Sequence, residues 1–368
     1  MKSLCFILES IPFDINTPHK EPIGGTESAV SYLLPELAKV GFNITLLSKN
    51  NNPSTIRGVK CRDIATSLNT DFFERNSFDA VVLISNSYSI IPLRQDILPS
   101  DIPLYFWAHH DSNQPAAAPL SNRFIANEVH HFIFISQYQK NQYMQQLGLK
   151  HTGISILPNG ISPYFENLFS SLDDFKKHKQ RNIATYTSTP FRGLDLLANI
   201  ARDPIDDLYY EIYSSMRVYK STDEPFRALY DFLKNCPQTK LHGSISQKEL
   251  AIALKEFSFL TYPNTFPETF CISAIEAVAA GLEIISSHIG ALPEICLPYG
   301  SFVPVSPGNP APYLMEFKKI LIEKLNFKLQ FFDLWCERAY ENSLDVQRKY
   351  TWKNIAEKWK VVLDETLK

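Results

Sequence analysis

The sequence predicts an α/β protein of two domains, each built on a parallel sheet. Three observations carry this. The chain has 368 residues, long for one domain and comfortable for two. Short apolar runs alternate with stretches of helical spacing, as in parallel sheets covered by helices. The alternation stops over 170–182 and then restarts.

In chain order, the first domain, 1–169, carries expected strands at 4–8, 43–48, 80–85, 104–108, 131–135 and 154–157. Between the first two lies a helix over 28–40, with Val30, Leu33, Leu34 and Leu37 on one face. The stretch 170–182 contains Asp173, Asp174, Lys176, Lys177, Lys179 and Arg181 with few apolar residues, and reads as a linker. The second domain, 183–344, has expected strands at 183–187, 209–213, 240–242, 257–262 and 282–286. Its expected helices are 194–201, 224–235, 247–256 and 271–280. The tail, about 345–368, reads as a helix packing back on the first domain. Thr351 can cap it, and Trp352, Ile355, Ala356, Trp359 and Val362 form its apolar stripe.

Composition narrows the function classes. The apolar fraction is 45%, the charged fraction 20% and the net charge −3, which gives no electrostatic case for nucleic acid. Six cysteines lie scattered with no C-x-x-C pair, which fits reduced cytoplasmic thiols better than disulfides or zinc. Residues 1–9 hold too short an apolar core for a signal peptide and read as a first strand. No run reaches membrane-spanning length. A cytoplasmic chain is expected, with weak peripheral contact at the membrane face left open.

Ligands of open α/β sheets bind beyond the carboxyl ends of the strands. After the first strand comes Pro22-Ile23-Gly24-Gly25-Thr26-Glu27-Ser28, opening a helix. Paired glycines there let backbone approach a phosphate or a sugar ring; a plain tight turn is the alternative. After 104–108 comes His109-His110-Asp111. Neighbouring side chains alternate and cannot share one ion, so a substrate-contacting histidine competes with a surface pair. After 183–187 comes Ser188-Thr189-Pro190-Phe191-Arg192-Gly193, in which Arg192 is either a phosphate partner or solvated.

The most informative segment follows 257–262. A loop ends at Glu268, and from Phe270 to Gly281 only Ser273 and Glu276 are strongly polar. A helix apolar nearly all round is buried, and a buried carboxylate needs a donor. A hydroxyl-rich ligand or the domain's own backbone can supply it. Glu268 stands before the positive end of that helix, as a ligand group or a cap.

These pieces together resemble the retaining, nucleotide-sugar-dependent glycosyltransferases of the GT-B fold, the large family with a Glu-x7-Glu motif. The matching residues are Gly24-Gly25-Thr26-Glu27, His110-Asp111, Leu157-Pro158-Asn159-Gly160-Ile161, Arg192-Gly193, Leu241 to Ser246, Glu268 to Glu276, Gly281, Gly290 to Glu294 and Tyr350-Thr351-Trp352. The resemblance implies two Rossmann-like domains facing a central cleft. It implies that Gly24 and Gly25 approach the donor diphosphate and the acceptor, that His110 contacts the transferred sugar with Asp111 beside it, and that Arg192 holds the diphosphate. Glu268 and the amides of Phe270, Cys271 and Ile272 would bind the donor sugar. Glu276 would bind the ribose, and Gly243, Ser244 and Ile245 would line the base pocket. Two departures stand out. Ser188 occupies a position where the family usually has a cation, so Arg192 or the 213–219 loop must compensate, and Cys271 stands where a glycine is usual.

The implied reaction is transfer of a hexose-type sugar from a nucleotide-diphosphate donor to a glycan or lipid-linked acceptor, with retention, in surface glycan or glycoconjugate synthesis. The donor is a co-substrate, and no metal or other cofactor is expected. Two helical turns separate Glu268 from Glu276 by roughly 11 Å, whereas a retaining hydrolase needs carboxylates about 5 Å apart. They therefore read as two grips on one extended ligand. A sugar-nucleotide epimerase, a phosphorylase, a sugar-binding protein without catalysis and a degenerate nucleotide-sugar binder are the alternatives.

Overall fold

The computed structural model of the chain describes residues 1–50, 52–305 and 308–367. They form two compact units. The first comprises Met1–Pro18, Gly25–Gly160 and Trp352–Lys368, and the second His19–Gly24 and Ile161–Thr351. Lys368, where the expected tail helix ended, lies outside the described residues.

The first unit is built on β1 (Ser3–Ile7), β2 (Asn43–Ser48), β3 (Ser54–Ile56), β4 (Val59–Asp63), β5 (Ala80–Ile84), β6 (Leu104–Trp107), β7 (His131–Phe134) and β8 (Ile154–Ile156). They run in the order β3-β4-β2-β1-β5-β6-β7-β8. All neighbours are parallel except the β3–β4 pair. The central strands are buried on both faces, which is why they read as continuous apolar runs. Strands β3 and β4 were not anticipated; they form an edge hairpin whose Lys60 and Arg62 keep it from reading as core. The helix Gly25–Lys39 begins three residues before the expected start, so Gly25 is helical rather than part of a preceding loop.

The helix Trp352–Thr366 completes this unit. Its Trp359 ring meets Trp107 edge-on at 5.0 Å and Phe6 at 6.0 Å, and Thr366 Oγ1 accepts from Tyr105 Oη at 2.6 Å. Residues 345–350, expected in the same helix, belong instead to the helix Phe332–Tyr350 of the second unit, because Thr351 turns extended at ψ 144°.

The second unit holds β9 (Ile183–Tyr186), β10 (Tyr209–Ile212), β11 (Thr239–Leu241), β12 (Phe259–Tyr262), β13 (Glu283–Ser287) and β14 (Gly300–Val303). Every strand pair is parallel, in the order β11-β10-β9-β12-β13-β14. This is the 3-2-1-4-5-6 order of a doubly wound sheet, with its topological switch between β9 and β12. The strand β14 and the helices Pro310–Gln330 and Phe332–Tyr350 were not anticipated.

The expected linker is a correction. Residues 170–182 carry the helix Leu172–His178 inside the second unit, with Phe175 buried against Phe169 at 4.7 Å. Lys179, expected in that linker, is fully buried. Its Nζ donates to the carbonyls of Leu254 (3.1 Å), Phe257 (2.6 Å) and Ala280 (2.7 Å). An ammonium has three donors for three acceptors, so the charge is satisfied while the stem packs.

We expect Lys179→Met to take the Nζ donor from the carbonyls of Leu254, Phe257 and Ala280, of which that of Leu254 keeps the Phe257 amide at 3.1 Å, and to lower unfolding free energy by roughly 3 kcal/mol in urea titration. A loss under roughly 0.5 kcal/mol, the size of an ordinary surface substitution, would remove the clamp reading.

Candidate active site

In the second unit the segments after β9 and β12 flank the switch point, where doubly wound sheets bind ligands. Two close approaches bring them together. Gly193 has φ +99°, and a Cβ there would overlap the Pro263 carbonyl. Gly290 has φ +63°, and a Cβ there would fall 2.5 Å from the Glu268 amide nitrogen. Only glycine fits either position.

These approaches place Arg192 against Glu268. Arg192 Nη1 donates to Glu268 Oε1 at 2.6 Å. Tyr262, the last residue of β12, donates its hydroxyl to the same oxygen at 2.6 Å. Ser188 Oγ lies 3.3 Å from the Tyr262 hydroxyl. Burial is the largest influence on Arg192 and opposes its charge, but Glu268, Tyr262, Tyr219 and Cys271 together outweigh it and hold the guanidinium well above its usual pKa. Burial pushes the Tyr262 hydroxyl well above its usual range, with Glu268 adding to the shift, so it stays a donor. The Arg192 plane rests 4.8 Å from the Phe266 ring. The pair is not saturated. Arg192 Nε is buried without a hydrogen-bond partner, and no described residue donates to Glu268 Oε2.

The helix Ile272–Ala279 follows Glu268 after three residues. Its first backbone bond runs from the Ala274 amide to the Cys271 carbonyl at 3.2 Å. Phe270 and Cys271 thus lie outside the helix, though the expectation began it at 271. Their amides and that of Ile272 make no hydrogen bond among the described residues. Cys271 adopts φ +79°, a conformation that favours glycine. Burial raises its thiol to about 12, so it is a neutral packing group.

Glu276 is buried, and its Oε1 accepts the Ser162 amide at 2.9 Å. The carboxylate therefore has a backbone partner of its own, which the expectation of a pure ribose grip did not include. Its Oε2 takes no bond from a described residue. Burial pushes Glu276 up to about 8. Gly243, Ser244 and Ile245 form the loop between β11 and the helix Gln247–Leu254, with Gly243 at φ +70°.

The first unit carries the other expected residues. Gly25 is the first helical residue, whereas Gly24 groups with the second unit. The His109–Asp111 segment leaves β6 as a fixed turn. The His110 carbonyl accepts from Gln139 Nε2 (2.8 Å) and Tyr143 Oη (3.1 Å). His109 is buried with its ring 4.5 Å from Trp107, and burial pulls its imidazole down to about 3. Burial also lowers His110, partly countered by the Ser85 backbone and the Glu27 carboxylate. Asp111 also braces the loop: its Oδ1 accepts the Ser112 amide (2.7 Å) and its Oδ2 the Tyr138 hydroxyl (3.3 Å). Among the described residues no group of three or more His, Cys, Asp or Glu could hold a metal.

Tyr262 and Ser162 were missed. The signal for Tyr262 was a hydroxyl at the carboxyl end of an apolar strand. Ser162 carried none, because its amide meets Glu276 across 114 positions of sequence.

No protein-family model matches the chain. It is 25% identical over 242 residues, 64% of this chain and 46% of the relative, to a phosphatidylinositol N-acetylglucosaminyltransferase subunit of Homo sapiens. The chain spans about half the length of the curated relatives it matches. In structure it is similar to sucrose-phosphate synthase from Thermosynechococcus elongatus, with TM-score 0.74 and 15% identity over 99% of both chains. It is likewise similar to Alr3699/HepE of Anabaena, solved with UDP-glucose, with TM-score 0.72 and 12% identity over 99% of this chain and 100% of the other. The chain thus has the GT-B fold of these solved structures, and the curated proteins it resembles in sequence are a glycosyltransferase subunit and a glycosyltransferase.

Proposed function

We propose that the chain transfers a hexose-type sugar from a UDP-sugar to a glycan or lipid-linked acceptor, with retention of anomeric configuration and without a protein-held metal. One observation carries the reading. Arg192 keeps a buried Nε donor without a partner, beside a carboxylate with an unclaimed oxygen, at the switch point of a doubly wound sheet. A diphosphate oxygen satisfies the first and a sugar hydroxyl the second. The printed ligands of similar structures include UDP-glucose and UDP, and the human relative's name specifies N-acetylglucosaminyl transfer, which is why UDP is preferred over GDP here.

In this reading charge builds on the departing diphosphate as the anomeric bond breaks. Arg192 and the unclaimed amides of residues 270–272 stabilise that charge. Glu268 Oε2 holds the sugar, and Glu276 Oε2 a ribose hydroxyl. The acceptor proton leaves with help from the departing phosphate, on the face the donor vacates. No protein nucleophile takes part. An epimerase acting on the same donor is the second reading, favoured by the same Arg192–Glu268 grip. It would convert UDP-sugar without acceptor, which NMR of enzyme and donor alone resolves.

The first test is a thermal-shift panel of UDP-glucose, UDP-N-acetylglucosamine and GDP-mannose. A UDP-sugar should raise Tm by mass action. Arg192→Ala should abolish that rise and cut turnover by about 10²–10³-fold. No shift with any nucleotide sugar would sink the proposal. Turnover should also persist in EDTA, and its loss there would refute the metal-free step.

Glu276 supplies a pH test independent of turnover. Its folded pKa is raised from 4.5 to about 8. Between these values the folded state holds a proton that the unfolded state has released. Stability therefore falls as pH rises through the window, and the loss is complete above about 8. Glu276→Gln keeps an acceptor for the Ser162 amide and cannot ionise. Its stability relative to wild type should climb from pH 5 to pH 8, and a flat difference would contradict the raised value.

A further inference from the structure

We propose that Tyr262 is a positioning residue that decides which oxygen of Glu268 meets the ligand. The inference rests on the reading of Glu268 as the sugar grip. A carboxylate on a two-bond stem can present either oxygen and can rotate between them. Here Oε1 takes two short bonds, from Tyr262 Oη and from Arg192 Nη1, both 2.6 Å. The donor groups approach from different strands, since Tyr262 ends β12 and Arg192 follows β9. Two fixed donors on one atom set the carboxylate plane and leave Oε2 as the remaining acceptor.

The main chain of Glu268 is equally fixed. The Ala291 amide donates to its carbonyl at 2.7 Å, and Gly290 lies so close that no side chain fits. The point from which the side chain starts is therefore fixed. The Tyr262 ring is itself held, 1% exposed and 5.6 Å from the Tyr186 ring. Ser188 Oγ lies 3.3 Å from the Tyr262 oxygen, and with the phenolic proton committed to Glu268 the serine hydroxyl is the one left to donate. Ser188 thus has a task at the position where a cation was expected. It is the far end of a relay Ser188 → Tyr262 → Glu268 that neutral hydroxyls alone can build.

The consequence is a specificity rule. Oε2 is an acceptor with two lone pairs and no donor of its own. It takes hydroxyl or amide N–H groups from a neutral sugar and repels a uronate carboxylate at the same position.

The test compares UDP with UDP-glucose and UDP-N-acetylglucosamine by titration calorimetry on wild type and Tyr262→Phe. The substitution deletes one oxygen and keeps the ring. UDP affinity should stay within about twofold, because the bond lies on the sugar side. The ratio of UDP-sugar to UDP affinity should fall about 10- to 100-fold, the range for a hydrogen bond to a charged group. An unchanged ratio, or an equal fall for UDP and UDP-sugar, overturns the positioning role, the second outcome marking Tyr262 as structural only. Wild-type protein that binds UDP but neither UDP-sugar overturns the reading of Glu268 and the inference with it. Ser188→Ala repeats the comparison with the ring untouched and guards against a Tyr262→Phe that does not fold. A lowered ratio supports the relay, and an unaltered one refutes it.

Discussion

A single buried carboxylate organises the second unit's switch point. Glu268 is almost fully buried, and a buried charge persists only when paired and hydrogen-bonded. Arg192 and Tyr262 meet that requirement from two neighbouring strands. They can do so only because the chain passes close at Gly193 and Gly290, where any side chain would strike Pro263 or Glu268 backbone. The ion pair, the two glycines and the strand order are thus one arrangement. Alter the spacing of β9 and β12 and the carboxylate loses its donors.

The helix that follows is anchored along its length. Glu276 in its middle holds the Ser162 amide, the Ala279 carbonyl takes Ser343 Oγ at 2.8 Å, and the Ala280 carbonyl takes Lys179. At its start, the amides of residues 270–272 take no partner among the described residues, with Cys271 in a conformation that favours glycine. A helix fixed at its far end and open at its near end holds donors in place before any ligand arrives. Such preorganisation lowers the reorganisation needed when charge develops. The first unit shows the same logic on a smaller scale, where Gln139, Tyr143 and Tyr138 clamp the turn that carries His110.

Much of this was legible in the chain. Strands buried on both faces announce themselves as apolar runs, and the segments after them are where a parallel sheet places chemistry. Arg192, Gly193, Glu268 and Glu276 were therefore found by position, and Gly290 through the family resemblance. Elements that balance apolar with charged residues were not. The hairpin β3–β4 and the helix Leu172–His178 look solvated in sequence, yet the second buries Phe175 and leads into a buried lysine.

The amino-acid sequence by itself determined the fold class, the alternation of the buried central strands with helices and the residue types at those strand ends, because periodicity and turn chemistry are local properties. Only the tertiary structure decided who partners whom. Whether Lys179 is solvated or buried, what braces Asp111, and which oxygen of Glu268 the guanidinium takes all depend on groups tens of residues away in sequence. Hydrogen bonds are satisfied in space, and no local pattern records the partner.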